Sequence, residues 1–396
     1  MLKRILVNAS LFLGSFLIGL VLAEVYLSIT GKYDRLVNGS SVASGTTLWT
    51  KAPNNTTFAQ HPDLGYPVKE VIDRLGARNE GAPYVLSQTG PVVGVFGDSF
   101  TENTAVEEEN TFIGLLNKYY GKPMFWNYGV NGYGAEQAFQ RYMNVAGEYN
   151  FSDVIYVFCQ NDLQNTFEVR LLEIANGPDG LVYANLYEGK DVSFSLTRYL
   201  GKLRLTYLVV DAYYQALTLL GFGGKPTKDD IVSDLEKGRK ERTSDTFAGS
   251  VEKDFRSNSP SPEALAVAAK LKQVTTLWKQ EVERHGSRFH VAVLPFGQDK
   301  AMINKLLTEE ERKEFGVFFL QRPREVPMLA AYALQFQNDG HWNEIGNLAI
   351  VPNFISKFPS LKPSGDADFK PLMQAQLDKI LALYSKYGVA PRTQGW

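Results

Sequence analysis

The sequence predicts an α/β fold with a mostly parallel central sheet. Three observations carry this: short continuous apolar runs, helix-length stretches alternating with them, and Gly-, Asp- or Asn-rich segments directly after the runs. A run that is apolar at every position fits a strand buried on both faces, and strands alternating with helices build a parallel sheet covered on each side. The 396 residues, 44% of them hydrophobic and 12% aromatic, suffice for one or two domains with an ample core.

In chain order, Lys3-Arg4 precede an apolar run from Ile5 to Ile29 that carries one charge, Glu24. A run of roughly 25 residues, at about 1.5 Å per residue, is long enough for a hydrocarbon core of about 30 Å. A cleaved signal peptide has a shorter apolar stretch ending in a small-x-small site, whereas here the stretch continues through Val25-Tyr26-Leu27. Residues 1–31 therefore read as an uncleaved signal anchor, a transmembrane helix with Lys3 and Arg4 on the cytoplasmic side. Residues 32–89, rich in Gly, Ser, Asn, Thr and Pro, read as a stalk and lead-in segment. Residues 90–396 form the main domain.

Within that domain, strands are expected at Pro91–Phe96, Asp153–Cys159 and Arg288–Leu294. Helices are expected over about 109–120, 135–148, 261–285 and 343–357. The stretch from about 165 to 255 breaks the alternation with an aromatic patch, Tyr207 to Tyr214, and a charged run, Asp229 to Arg242. It reads as an insertion that caps a site formed by strand ends. The charged run by itself reads as a solvated helix face or as disorder.

Composition excludes several function classes. Forty-one basic against forty-three acidic residues, a formal charge of -2, argue against binding to nucleic acid through a broad basic field. The single cysteine, Cys159, builds neither an intramolecular disulfide nor a thiolate metal site. No metal constellation or dinucleotide fingerprint is present, and the Gly129–Gly134 cluster lacks the lysine of a phosphate loop, so no cofactor is expected.

Ligands of open α/β sheets bind beyond the carboxyl ends of the strands. The first run is followed there by Gly97-Asp98-Ser99-Phe100-Thr101 and the second by Gln160-Asn161-Asp162. Between them lies Asn127-Tyr128-Gly129-Val130-Asn131-Gly132-Tyr133-Gly134, and near the C-terminal end Asn338-Asp339-Gly340-His341-Trp342-Asn343. Ser99, on a tight strand-to-helix turn, is a candidate nucleophile that needs a base. Of four histidines, His61 falls in the expected stalk, His285 at a helix end and His290 in a strand, which leaves His341. Asp339 can orient its ring and stabilise the imidazolium. The N–H groups of Ser99 and Gly132 and the side chain of Asn161 would make an oxyanion hole. Cys159 reads as a small core residue, and Asp98 and Asp162 as acceptors for loop amides. Trp342 reads as a cover for the base, Asn343 as the start of the next helix, and Tyr128 and Tyr133 either as turn packing or as sugar-stacking faces.

Gly97-Asp98-Ser99-Phe100, Gly132, Gln160-Asn161-Asp162 and Asp339-Gly340-His341 resemble blocks I, II, III and V of the SGNH hydrolases, also called the GDSL family. The resemblance covers roughly residues 90–360. It implies a flavodoxin-like three-layer sandwich with Ser99 as nucleophile, His341 as base, Asp339 as its orienting acid, and Ser99, Gly132 and Asn161 as the oxyanion hole. Two positions depart from the common pattern. The usual Asp-x-x-His spacing would make Asn338 the orienting residue, while Asp-x-His is similar to the branch containing alginate-type polysaccharide O-acetyltransferases. Asp339 is preferred, because an amide does not stabilise an imidazolium as an anion does. Gln160 replaces the glycine that usually precedes Asn-Asp, which bears on the substrate.

The expected function is a membrane-anchored serine acyl-ester hydrolase or O-acyltransferase working through an acyl-serine intermediate. Its place would be the inner (plasma) membrane, single-pass, with the catalytic domain periplasmic or extracytoplasmic. Its substrates would be O-acyl groups of cell-envelope or exopolysaccharide glycans. The contrasting reading is a non-catalytic, membrane-tethered carbohydrate-binding or assembly subunit on the same scaffold.

Overall fold

The computed structural model describes residues 2–29, 41–44, 46–79, 91–178, 180–186, 250–361 and 369–393. The chain divides into two units, Met1–Ser40 with Val192–Arg242, and Ser41–Asp191 with Thr243–Trp396. In the first unit a 28-residue helix runs over Leu2–Ile29 (α1) and exposes Phe12, Phe16, Leu22 and Ile29. The expected transmembrane span falls on this helix. No helix of the described residues is long and apolar enough to cross a membrane, so the structure does not supply the span that the sequence predicts.

The second unit begins with two antiparallel hairpins, β1 (Ser41–Ser44) with β2 (Leu48–Lys51) and β3 (Asn55–Gln60) with β4 (Pro67–Ile72). These fall where the composition reads as stalk. Alternating small and polar residues hide the pattern, yet Val68, Glu70 and Ile72 are buried along one face of β4. His61, placed in the stalk by sequence, is fully buried. Its Nδ1 accepts from the Asp63 and Leu64 amides and its Nε2 donates to Glu344 at 2.9 Å.

The central sheet is wholly parallel. β5 (Val93–Phe96) leads through α2 (Ser99–Glu102) and α3 (Phe112–Tyr120) to β6 (Phe125–Asn127), then through α4 (Ala135–Ala146) to β7 (Asp153–Phe158). After α5 (Asn161–Glu168) comes a hairpin, β8 (Leu172–Gly177) with β9 (Gly180–Asn185). Then α6 (Ser250–Arg256) and α7 (Pro262–Arg284) lead to β10 (Arg288–Val293), and α8 (Gly297–Leu306) and α9 (Glu309–Glu314) to β11 (Phe318–Phe319). Helices α10 (Glu344–Lys357) and α11 (Phe369–Lys386) follow. The sheet order is β11-β10-β7-β5-β6, so the winding reverses between β5 and β7. In open α/β sheets such a reversal is where ligand crevices form, at the carboxyl ends of the two strands.

Strand alternation divides the apolar side chains between two faces. Along β7, Val154, Tyr156 and Phe158 join a core that includes Phe139 and Tyr142 of α4 and Trp278 of α7. Ile155, Val157 and Cys159 join the opposite core, with Leu116 of α3 and Leu348 and Phe354 of α10. α7 starts where the sequence says it should, with Ser261 accepting the Ala264 N–H ahead of Pro262 in the first turn. The expected elements coincide with β5, β7, β10, α3, α4, α7 and α10 to within a few residues. The three-residue β6 and two-residue β11 are too short to show a period. Of the expected insertion, only α5, the β8–β9 hairpin and α6 lie among the described residues. The Tyr207 to Tyr214 patch and the Asp229 to Arg242 run lie outside them.

Candidate active site

Ser99 opens α2 directly at the end of β5. The turn from strand to helix is tight enough that a Cβ on Gly97 would collide with Thr101 Oγ1 and lie 3.0 Å from the Val157 carbonyl. Asp98 caps the helix, its Oδ1 accepting from the Phe100 N–H at 2.9 Å. Asn103 ends it in the left-handed conformation, φ 54°, which asparagine tolerates better than most residues. Buried Arg78 donates to the carbonyls of Glu102, Asn103 and Val106, satisfying the helix C-terminus from outside the element.

His341 stands in the turn before α10, and its Nε2 lies 2.8 Å from Ser99 Oγ. Its Nδ1 lies 2.5 Å from Asp339 Oδ1, and the same oxygen accepts the backbone N–H of His341 at 2.8 Å. With Nδ1 donating to the carboxylate, Nε2 is left as the acceptor for the serine proton. Burial disfavours the charged imidazole, but the hydrogen bond and charge of Asp339, with Asp98 and Glu102, outweigh it and hold His341 above its usual value. Asn338 turns elsewhere: its Nδ2 faces the Pro62 carbonyl, and its own N–H donates to Asp63.

Gly132 lies in a turn closed by Tyr133 N–H to Val130 O at 3.1 Å, and its φ is +76°. Val130 N–H donates to the Gly97 carbonyl at 3.1 Å, which seats this loop against the Ser99 turn. Asn161 starts α5 at the end of β7, and its Nδ2 donates to Asp98 Oδ2 at 3.0 Å. Among the described residues, no hydrogen bond joins Gly132 or Asn161 to Ser99 itself. Asn161 is tied to Asp98, and the loop of Gly132 is tied through Val130 to Gly97.

The neighbours read as structural take structural places. Asp98 and Asp162 accept loop amides, and burial pushes both carboxyls above their usual range. Cys159 is buried, and burial pushes its thiol up, away from the reactive thiolate. Trp342 is buried with its ring edge-on to Phe100, which packs 5.1 Å from the His341 ring. Asn343 caps α10 through the Gly346 N–H. Tyr128 stacks on Phe96 and, like Tyr133, is buried, which removes both as exposed sugar platforms.

Sequence reasoning missed the residues that brace the site. Asp63 accepts the Gln337 and Asn338 amides at 2.8–3.2 Å and so holds the chain just before Asp339. Asn347 of α10 donates to Asn103 Oδ1 at 3.1 Å and accepts the Phe112 N–H at 2.9 Å, tying α10 to the end of α2. Lys51 of β2 pairs with Glu70 at 3.0 Å and with Glu102, all three buried. Burial pushes Glu102 up to about 7, against the pull of Lys51. Asp299 of α8 accepts the Gln160 N–H at 2.5 Å. The one signal for these in the sequence is a charged residue inside a β-like alternation, as at Lys51 and Glu70. Their partners are too distant in sequence for that signal to identify them.

No protein-family model matches the chain, and no curated protein aligns with it. Among solved structures, it is similar to the crystal structure of LAE5, an alpha/beta hydrolase enzyme from the metagenome of Lake Arreo, Spain. The two share 12% identity over 70% of this chain and 99% of that one, with a TM-score of 0.33. A likeness that loose carries no argument about activity.

Proposed function

We propose that this chain is a serine acyl-ester hydrolase or O-acyltransferase of the SGNH type. One observation carries the reading: the hydrogen-bonded chain Ser99–His341–Asp339 at the sheet's carboxyl rim, where the winding reverses. His341 takes the proton of Ser99 as its Oγ attacks the ester carbonyl. The oxyanion is received by the N–H groups of Ser99 and Gly132 and by Asn161, whose second amide hydrogen remains after the bond to Asp98. Collapse expels the alcohol, protonated by His341, and leaves an acyl-serine. Water then releases the acid, or an acceptor hydroxyl takes the acyl group. The sheet order is the flavodoxin-like doubly wound one, which is consistent with the three-layer sandwich of that family.

The apolar N-terminal sequence and the Asp-x-His spelling support a place outside the cytoplasm, tethered to the inner membrane by residues 1–31 and acting on O-acyl groups of glycans. Short p-nitrophenyl esters and a fluorophosphonate probe test the chemistry. Ser99→Ala is expected to lose at least about a thousandfold in turnover and to abolish labelling. Turnover unchanged in that variant removes Ser99 as the nucleophile. Folded wild-type protein that takes no probe at Ser99 supports the non-catalytic, carbohydrate-binding reading instead.

A further inference from the structure

We propose that Trp49 is a positioning residue for the oxyanion hole, orienting the Gly132 N–H through the carbonyl of Asn131. This rests on the reading above, in which that N–H receives the oxyanion. A trans peptide unit is planar, so its C=O and N–H point in opposite directions. The unit that ends in the Gly132 N–H begins with the Asn131 carbonyl, and that carbonyl accepts from Trp49 Nε1 at 3.1 Å. The indole therefore sits behind the peptide and directs the N–H away from itself.

The turn needs such a device. With φ +76° at its third position, Val130–Tyr133 has the backbone of a type II turn. Glycine also adopts negative φ at no steric cost, and the type I turn then available to the same four residues has its central peptide flipped. Gly132 permits both states and selects neither. The indole bond adds its energy to one state alone. The preceding peptide is held as well, since Asn131 N–H donates to buried Glu102, the partner of Lys51. Trp49 is itself fixed: its carbonyl accepts from Tyr133 Oη at 2.5 Å and Thr47 Oγ1 at 2.8 Å, and its ring meets Tyr133 edge-on at 5.8 Å. Trp49 Cζ2 lies 3.5 Å from where a Cβ on Gly132 would stand, so the ring also limits how far the turn can roll.

Trp49→Phe keeps a ring and removes the N–H. Trp49→benzothienylalanine keeps the whole bicyclic shape with sulfur in place of N–H, and serves should the first variant fold poorly. The substrates are a p-nitrophenyl ester and its thionoester, in which sulfur replaces the carbonyl oxygen. Each variant is expected to lower kcat on the oxygen ester roughly tenfold to a hundredfold, less than the about 10²–10³ for deleting a donor outright. KM should stay within about twofold, as for a contact made only in the transition state. The preference for oxygen over sulfur should narrow, because the donor no longer meets the developing oxyanion squarely. A folded variant with unchanged kcat, or one with lowered kcat and an unchanged oxygen-to-sulfur ratio, overturns the role of Trp49. Ser99→Ala that retains turnover overturns instead the reading on which this rests.

Discussion

Ser99 and His341 meet at one rim but are held in different surroundings, one among buried groups and one in a partly exposed turn. Ser99 sits on a short helix whose other three residues are buried, fed by a central strand and gripped at its end by Arg78 and Asn127. His341 sits in a partly exposed turn, held by Asp339, by Phe336 N–H to its carbonyl, and by Asp63 one step further back. The place of Ser99 follows from the sheet and from buried groups packed around its helix, Arg78 and Lys51 of the preceding segment among them. The place of His341 follows from a partly exposed turn that leans on Asp63 of that same segment. Substitutions near Ser99 should thus act on stability and chemistry together, and those near His341 mainly on chemistry.

Asp339 gives the largest test of that contrast. Asp339→Asn is expected to lower kcat on the order of 10⁴-fold at neutral pH with little change in unfolding midpoint, because the ring loses its orienting anion. Asn338→Ala should stay within about twofold, well inside the about 1.4 kcal/mol of a tenfold change. The pH profile adds a sign. Asp339 holds His341 above its usual value of about 6.5, so wild-type activity should fall on acidification through a pKa above that value. In Asp339→Asn the limb should move to lower pH, and a limb that stays in place refutes the pairing.

Lys51→Met probes the buried braces on the Ser99 side. It leaves Glu70 and Glu102 buried without their cation, and urea unfolding should show a loss of about 3–5 kcal/mol. The deficit should shrink on acidification, because burial already pushes Glu102 up to about 7 and protonating it removes its unpaired charge. A variant as stable as the parent would mean that water reaches this cluster.

Asp63→Ala is the smallest and sharpest comparison. It frees the Gln337 and Asn338 amides on a partly exposed loop, which should cost about 1 kcal/mol or less of stability. Turnover should fall roughly threefold to tenfold, since small misplacements at a reacting centre are costly. A stability loss larger than the activity loss would place Asp63 with the scaffold and erase the distinction between the two sides.

Much of this was legible in the chain. β5, β7 and β10 announce themselves because strands buried on both faces have no polar positions to interrupt the apolar run. Ser99, His341 and Asp339 were legible because a strand-end Gly-Asp-Ser and an Asp-Gly-His before a helix are local patterns, and the structure brings these three into one hydrogen-bonded chain. Residues 41–79 were misread for a physical reason. Composition reports how polar a segment is, and here Lys51, Glu70 and His61 are buried through partners 19 to 283 positions away. The membrane span rests on hydropathy alone, and no helix of the described residues adds to it.

Local chemistry thus determined which residues have reactive groups and which runs become strands, since both depend on neighbours within a few positions. Whether Asn338 or Asp339 reaches the imidazole, and which way the Asn131–Gly132 peptide faces, was decided only when Pro62, Asp63 and Trp49 were folded against those loops. A hydrogen bond depends on ångström separations in space, and separation along the chain does not specify them.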